Sequence, residues 1–386
     1  MRIGIDARFL VHGIGRYTVE LLRQLATVDH ESTYYVFTGE DERHRVDPFA
    51  DLWSDRVRRV HLSGSLHSPS AQVSIPRAVQ RHQIDLWHAT SFPSPLWRAC
   101  PFVVTIHDQA PRVDPRRLPY SRGLRGRIAP RYYRLMNAYA VRYARRVITV
   151  SEAARRDILQ FHPRTPPDKI TVIYHGVGTP FGPVPDAERR RVSAALALAH
   201  PYFLYVGTVN PGKNLVRVLE AFDTLCRQPG WSHDLVAVAR TDTRYGDFYR
   251  YWDGYGSRHR VRLLDYVETP DLPGLYAGAT ALLFPSLHES FGFPLLEAFA
   301  CGTPVVTSET SALPEIAGDA ALLVDPRAVS AIVEACRRLA GDPVLRSTLI
   351  ERGFRRMEAF SWRRCAEETL RVYRRVLDEP RAARQP

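Results

Sequence analysis

The chain has 386 residues, more than one hydrophobic core ordinarily serves, so two domains of roughly 180 residues are expected. Hydrophobic residues make up 45% and charged residues 24%, which excludes a disordered chain, and no run of 18 apolar residues supports a membrane-spanning helix. The formal charge of +12 is carried almost wholly by arginine, because Lys169 and Lys213 are the only lysines; a single arginine therefore says little and a lysine says more.

From the first residues onward, short apolar runs alternate with amphipathic stretches, the pattern of parallel strands covered on both faces by helices. The fold class predicted is α/β, with strands at 2–5, 34–37, 57–62, 84–88, 102–107 and 146–150. Gly13 and Gly15 open a helix over 15–27, whose Val19, Leu22 and Leu25 share one face. His88 and the pair His107 and Asp108 stand at strand ends, where doubly wound sheets bind ligands; each also fits a satisfied core-edge position. Arginines crowd the stretch from Arg112 to Arg146, which suits an anionic lipid, a phosphorylated acceptor, nucleic acid, or merely a solvated helix face. Ser151 reads as the N-cap of a helix over 152–161 rather than a nucleophile.

The Gly- and Pro-rich segment 176–185 has the composition of a linker, so a boundary is placed near residue 180. The alternation restarts with strands at 202–207, 235–239, 261–264, 281–284, 304–307 and 321–324. Two Rossmann-like domains, 1–180 and 181–360, are expected to face each other across a cleft. A tail helix over 362–377, with Leu370, Tyr373 and Leu377 on one face, completes the chain at 361–386. Five scattered cysteines without a C-x-x-C pair indicate neither a disulfide framework nor a zinc site, and a reducing cytoplasm is expected.

The densest chemistry follows the strand 281–284. Pro294 suits the first position of a helix that Gly302 closes and Pro304 forbids to continue. Gly292 leaves the helix N-terminus uncluttered, an anion site by its N–H groups and dipole. Glu289 on the loop and Glu297 in the first turn flank it, able to accept from sugar or ribose hydroxyls. Phosphate on the N–H groups and hydroxyls on the carboxylates describe a nucleotide-sugar; a dipole-offsetting Glu297 beside an unrelated loop charge fits the same residues.

E-S-F-G-F-P-L-L-E, from Glu289 to Glu297, resembles the E-x7-E motif of the retaining, family-four glycosyltransferases of the GT-B fold. Further segments resemble that family in the same order: Y-V-G-T-V-N-P-G-K-N-L from Tyr205, G-T-P-V-V from Gly302, S-A-L-P-E-I-A-G-D-A-A-L-L-V-D-P from Ser311, and F-S-W from Phe360 with the helix after it, which in the family packs back on the first domain. The resemblance implies that Glu297 holds the donor's ribose, Glu289 contacts the transferred sugar, and Phe291, Gly292 and Phe293 offer backbone N–H groups. It places Lys213, in the loop with Gly207 and Thr208, on the leaving diphosphate, and His107 beside the donor sugar. It seats the base near Tyr266 and Val267, and brings the Gly13 and Gly15 backbone close to the diphosphate. Gly212 and Thr208 stand where many relatives carry an arginine, so a second positive charge is expected from elsewhere.

A metal-independent hexosyltransferase is therefore expected, since no D-x-D and no metal-ligand spacing occur. It has no resident cofactor, its nucleotide-sugar being a co-substrate. GDP-mannose leads, with UDP- and dTDP-sugars open. The acceptor expected is a glycan or lipid-linked sugar at an anionic membrane surface, with no nucleic acid as partner. Two alternatives share the pattern: a small-molecule acceptor, or a relative that binds the nucleotide-sugar without transferring it. A nicotinamide dehydrogenase would need a third glycine where Thr18 stands, and a phosphorylase would need a pyridoxal-bearing lysine that neither lysine's context supplies.

Overall fold

The computed structural model describes residues 1–10, 12–39, 47–62, 70–91, 99–109, 124–240, 242 and 245–379, without the side chains of 12 and 124–129. The chain divides into two compact units, one comprising Met1–Gly176 with the segment from Ser361 onward, the other Val177–Phe360.

In the first unit seven parallel strands are β1 (Arg2–Asp6), β2 (Thr33–Thr38), β3 (Val57–His61), β4 (Leu86–Ala89), β5 (Phe102–Ile106), β6 (Arg146–Thr149) and β7 (Ile170–Val172), in the order β3-β2-β1-β4-β5-β6-β7. Helices α1 (His12–Val28), α2 (Ala71–Arg81), α3 (Leu124–Tyr143) and α4 (Glu152–Phe161) connect them. β5 reads Phe-Val-Val-Thr-Ile and every residue of it is buried, as a strand covered on both faces must be. Three details depart from the sequence expectations. α1, expected over 15–27, starts at His12, which puts Gly13 and Gly15 inside its first turn. The strand expected at 84–88 starts at Leu86, because Gln83 takes a positive φ of 51° and the Ile84 N–H still closes on Val79 O behind α2. β7 was not expected: three residues at a sheet edge are too short to form a visible apolar run. Ser151 Oγ accepts from Ala154 N at 2.9 Å, the cap of α4.

The second unit holds α5 (Asp186–Ala195), β8 (Tyr202–Thr208), α6 (Leu215–Cys226), β9 (Asp234–Arg240), α7 (Gly246–Asp253), β10 (Val261–Leu264), α8 (Leu272–Gly278), β11 (Ala281–Phe284) and α9 (Phe293–Ala300). After them come β12 (Val305–Ser308), α10 (Leu313–Ala317), β13 (Ala321–Val324), α11 (Val329–Gly341) and α12 (Pro343–Met357). Its six parallel strands run β10-β9-β8-β11-β12-β13 around a core that includes Phe203, Tyr205, Phe222 and Leu283. The architecture is thus the expected pair of Rossmann-like sheets.

The last helix, α13 (Trp362–Asp378), returns to the first unit and packs on α1, with Trp362, Leu370, Tyr373 and Val376 buried. Leu377, expected on that face, is only half-buried. Backbone meets backbone at its start: a Cβ on Gly176 would lie 2.3 Å from Trp362 N, so this crossing admits only glycine.

Candidate functional site

In each sheet the strand order reverses at one place, between β1 and β4 and between β8 and β11. Crossovers leave in opposite directions there, so the loops beyond the carboxyl ends open a crevice.

In the second unit the β8 loop carries Lys213 and the β11 loop carries Glu289. Asn210 Oδ1 accepts from Gly212 N at 2.8 Å and starts a 3-10 turn over Pro211–Lys213. Asn214 then reverses the chain with a left-handed φ of 64°, and its buried Nδ2 donates to Pro285 O at 2.8 Å and Pro326 O at 2.7 Å. Leu287 N donates to Gly212 O at 2.9 Å, and the buried Tyr205 hydroxyl lies 3.1 Å from Thr208 O and 3.2 Å from Lys213 O. Lys213 therefore stands on a base in which three strand-end loops are tied together. Its Nζ donates to Glu289 Oε1 at 2.7 Å and lies 5.5 Å from the Phe284 ring centroid. Glu289 is fixed in turn: its N–H donates to Ser311 Oγ at 2.9 Å and its carbonyl accepts from Ala312 N at 3.1 Å.

Gly292 begins α9 with a φ of +125° and no side-chain cap. A Cβ there would stand 3.0 Å from Leu313 Cδ2. The helix starts at Phe293, one residue before the expected Pro294, which takes the second position; Glu297 consequently lies just beyond the first turn rather than in it. Glu297 is 7% exposed and accepts the Tyr276 hydroxyl at 2.7 Å. Phe291 is buried edge-on to Phe293, with centroids 5.3 Å apart. Gly207 and Thr208 end β8, and a side chain at Gly207 would press on Tyr205 Oη at 2.9 Å. Tyr266 and Val267 follow the edge strand β10, two strands from β8; Tyr266 is 64% exposed and Val267 is buried.

In the first unit His107 follows β5, and its Nε2 faces Thr90 O at 2.9 Å. A carbonyl oxygen only accepts, so Nε2 carries the proton and Nδ1 is left as the acceptor. Burial lowers the His107 pKa to about 4, which keeps the ring neutral. Tyr17 packs edge-on against it at 4.8 Å between centroids. Asp108 receives the Tyr133 hydroxyl on its carbonyl at 3.2 Å. His88, an acceptor-contact candidate from sequence, is instead fully buried between Thr105 Oγ1 at 2.8 Å and Tyr373 Oη at 2.5 Å, a tie between the sheet and α13. Gly15 has a packing reason of its own, since a Cβ would meet the Leu10 carbonyl carbon at 2.5 Å; Gly13 is the second residue of α1. Among the described residues no group of three His, Cys, Asp or Glu could hold a metal ion, and no helix is long and apolar enough to cross a membrane.

Residues 11–180 match Glycosyltransferase Family 4 and residues 186–356 match Glycosyl transferases group 1. O-antigen chain mannosyltransferase B of Escherichia coli is 30% identical over 394 residues, covering 95% of this chain and 97% of that protein. The chain belongs to the GT-B glycosyltransferase family. The sucrose-phosphate synthase of Thermosynechococcus elongatus superposes on this glycosyltransferase with a TM-score of 0.78 at 20% identity, over 98% of this chain and 100% of that one. Anabaena Alr3699/HepE in complex with UDP and glucose gives 0.75 at 16% identity, over 97% and 99%. At those identities the likeness establishes the shared fold.

Several residues of the glycosyltransferase's crevices escaped the sequence reading. Asp6 and Arg8, at the end of β1, form a buried two-pronged ion pair with Nε–Oδ1 at 2.8 Å and Nη2–Oδ2 at 2.7 Å, and Thr90 Oγ1 donates to Asp6 O at 2.6 Å. Two opposite charges straight after a buried strand were the available signal. Asn214 was signalled only by its place at a helix start, where asparagine tolerates a positive φ. Tyr276 had none, because its partner Glu297 lies in another element.

Proposed function

We propose that this glycosyltransferase moves a hexose from a nucleotide-sugar, with GDP-mannose the leading donor, to a glycan or lipid-linked acceptor with retention at the anomeric carbon. The observation that carries the reading is the Lys213–Glu289 contact at 2.7 Å, at the β8–β11 reversal and in the loop that leads into α9. A cation suited to a diphosphate and a carboxylate suited to sugar hydroxyls stand side by side there, which supports the reading. A donor with its diphosphate on Lys213 and a hydroxyl on Glu289 keeps both charges partnered. Glu297, held by Tyr276, is suited to ribose hydroxyls, and the α9 N-terminus to phosphate oxygens. The neutral His107, with Nδ1 as acceptor, is suited to a sugar hydroxyl.

In the proposed step the bond from the anomeric carbon to the phosphate oxygen breaks while the acceptor oxygen bonds to that carbon from the same face. The acceptor's proton passes to the departing phosphate oxygen. Lys213 and the helix terminus meet the charge that develops there, so no metal is required. The mannosyltransferase named among the relatives supports mannose and a polysaccharide acceptor. On α3, Arg131 and Arg134 are exposed beside Leu135, itself 68% exposed, which supports work at an anionic membrane face. Arg112, Arg116, Arg117, Arg122 and the side chains of Arg125 and Arg127 lie outside the described residues.

The test is a thermal-shift panel of GDP, UDP, dTDP and ADP, followed by NMR of the glycoside formed from the best donor. GDP is expected to give the largest shift, and an α-linked donor an α-linked product. A β-linked product contradicts retention. Donor hydrolysis without acceptor separates an enzyme from a mere binder, and activity lost to chelator and restored by manganese contradicts the metal-free step.

A further inference from the structure

At the amino-terminal edge of the first sheet, the end away from His107, lies a cavity of about 550 Å³. β5 spans five residues, so it sits roughly 15 Å from the crevice end of that strand. Arg142, Arg145, Arg146 and Lys169 line it, with Asp168 and Glu379 as the acids; Cys100, Phe102 and Tyr143 are part of its remaining wall. Four cations against two carboxylates leave a net charge of +2.

Two of the cations, Arg146 and Lys169, are held in place. Arg146 Nη2 donates to Glu379 Oε1 at 2.7 Å and its Nη1 to Arg145 O at 3.3 Å, while its buried Nε has no partner among the described residues. Lys169 Nζ donates to Arg142 O at 2.7 Å, so the second of the chain's two lysines is turned toward the same arginines. Burial, then the like charges of Arg145 and Arg146, lower the Lys169 pKa to about 8, as expected for an ammonium close to both guanidinium groups. The size falls in the range of small-ligand pockets, which exceeds a bare ion, and the mixed lining suits a charged head on a less polar body.

We propose that this cavity is a second anion site, which binds the phosphate of a phosphate ester and is separate from the nucleotide-sugar crevice. A net +2 balances a phosphate dianion, and arginine forks match its oxygens. The site does not depend on the donor assignment. Both a lipid headgroup and a soluble phosphate ester carry this chemistry.

Two lysines make the test direct. Reductive methylation with 13C-formaldehyde keeps their charge and gives two lysine ε-methyl signals, the Lys169 one assigned by its loss in Lys169→Arg. Inorganic phosphate is expected to shift that signal and raise its titration midpoint by about one unit. The response should persist in Lys213→Ala and be lost in Arg142→Gln/Arg145→Gln, whose nucleotide-induced thermal shift should equal that of the parent. In parallel, sedimentation with phosphatidylcholine vesicles containing phosphatidic acid compares parent and double variant. Vesicle binding that the double variant loses identifies a lipid headgroup, and a phosphate response without it identifies a soluble ester. A Lys169 signal indifferent to phosphate, or equally responsive in the double variant, overturns the proposal.

Discussion

Lys213 does two things with one ammonium: it is a point charge for phosphate and the partner of Glu289 at 2.7 Å. Lys213→Ala should therefore lower kcat by roughly 100- to 1,000-fold with a smaller change in donor affinity, since the charge is needed most as the diphosphate leaves. Steady-state kinetics beside donor titration check this, and a near-parental kcat would show the phosphate charge lies elsewhere. Asn214 is the structural counterpart. Its Nδ2 reaches two buried carbonyls, so Asn214→Ala should cost about 2–4 kcal/mol in urea unfolding, from two abandoned acceptors and an alanine forced to a positive φ. Asn214→Gly loses the same hydrogen bonds but accepts the backbone, and should recover about 1 kcal/mol of that.

Among the elements, α9 depends most on a single backbone conformation. Gly292 has a φ of +125° and Leu313 Cδ2 stands 3.0 Å from where a Cβ would be, so Gly292→Ala is strained on both counts. A loss of about 1–3 kcal/mol is expected, with weakened nucleotide binding in the thermal-shift panel. Unchanged nucleotide binding would separate the helix terminus from phosphate recognition. The strands were readable because burial on both faces makes them continuously apolar, as in β5. The end of α9 was readable too: Gly302 has a φ of +70°, which favours glycine. Its beginning was misplaced by one residue because proline fits either of the first two helical positions, and the loop geometry before it selects the second. β7 and the late start of β4 depend on an edge pairing and on Gln83, which no periodicity reveals.

For the whole molecule the buried imidazoles set a pH limit. His88 is enclosed by Thr105 and Tyr373, with His107 as its charged neighbour on protonation, and burial lowers its pKa to about 3. A folded pKa below the unfolded value of about 6.5 means the unfolded chain binds the proton first. His88's contribution is therefore complete above about pH 6.5 and declines as pH falls toward 3, by about 2 kcal/mol at pH 5. Urea unfolding at pH 7.5 and pH 5 should show that decline in the parent chain and a smaller one in His88→Gln; equal declines would remove His88 from the account. By itself the sequence determined the two doubly wound sheets, the strand-end loops and the carriers of charge at Lys213, Glu289 and Glu297, because strand burial and helix punctuation are local and leave local marks. The Lys213–Glu289 contact, the Asn214 tie, the Tyr276–Glu297 bond and the capture of His88 by Tyr373, 285 residues away, were decided only by tertiary structure. Each joins a side chain to a group in another element or loop, and such a partner is fixed by packing rather than by spacing.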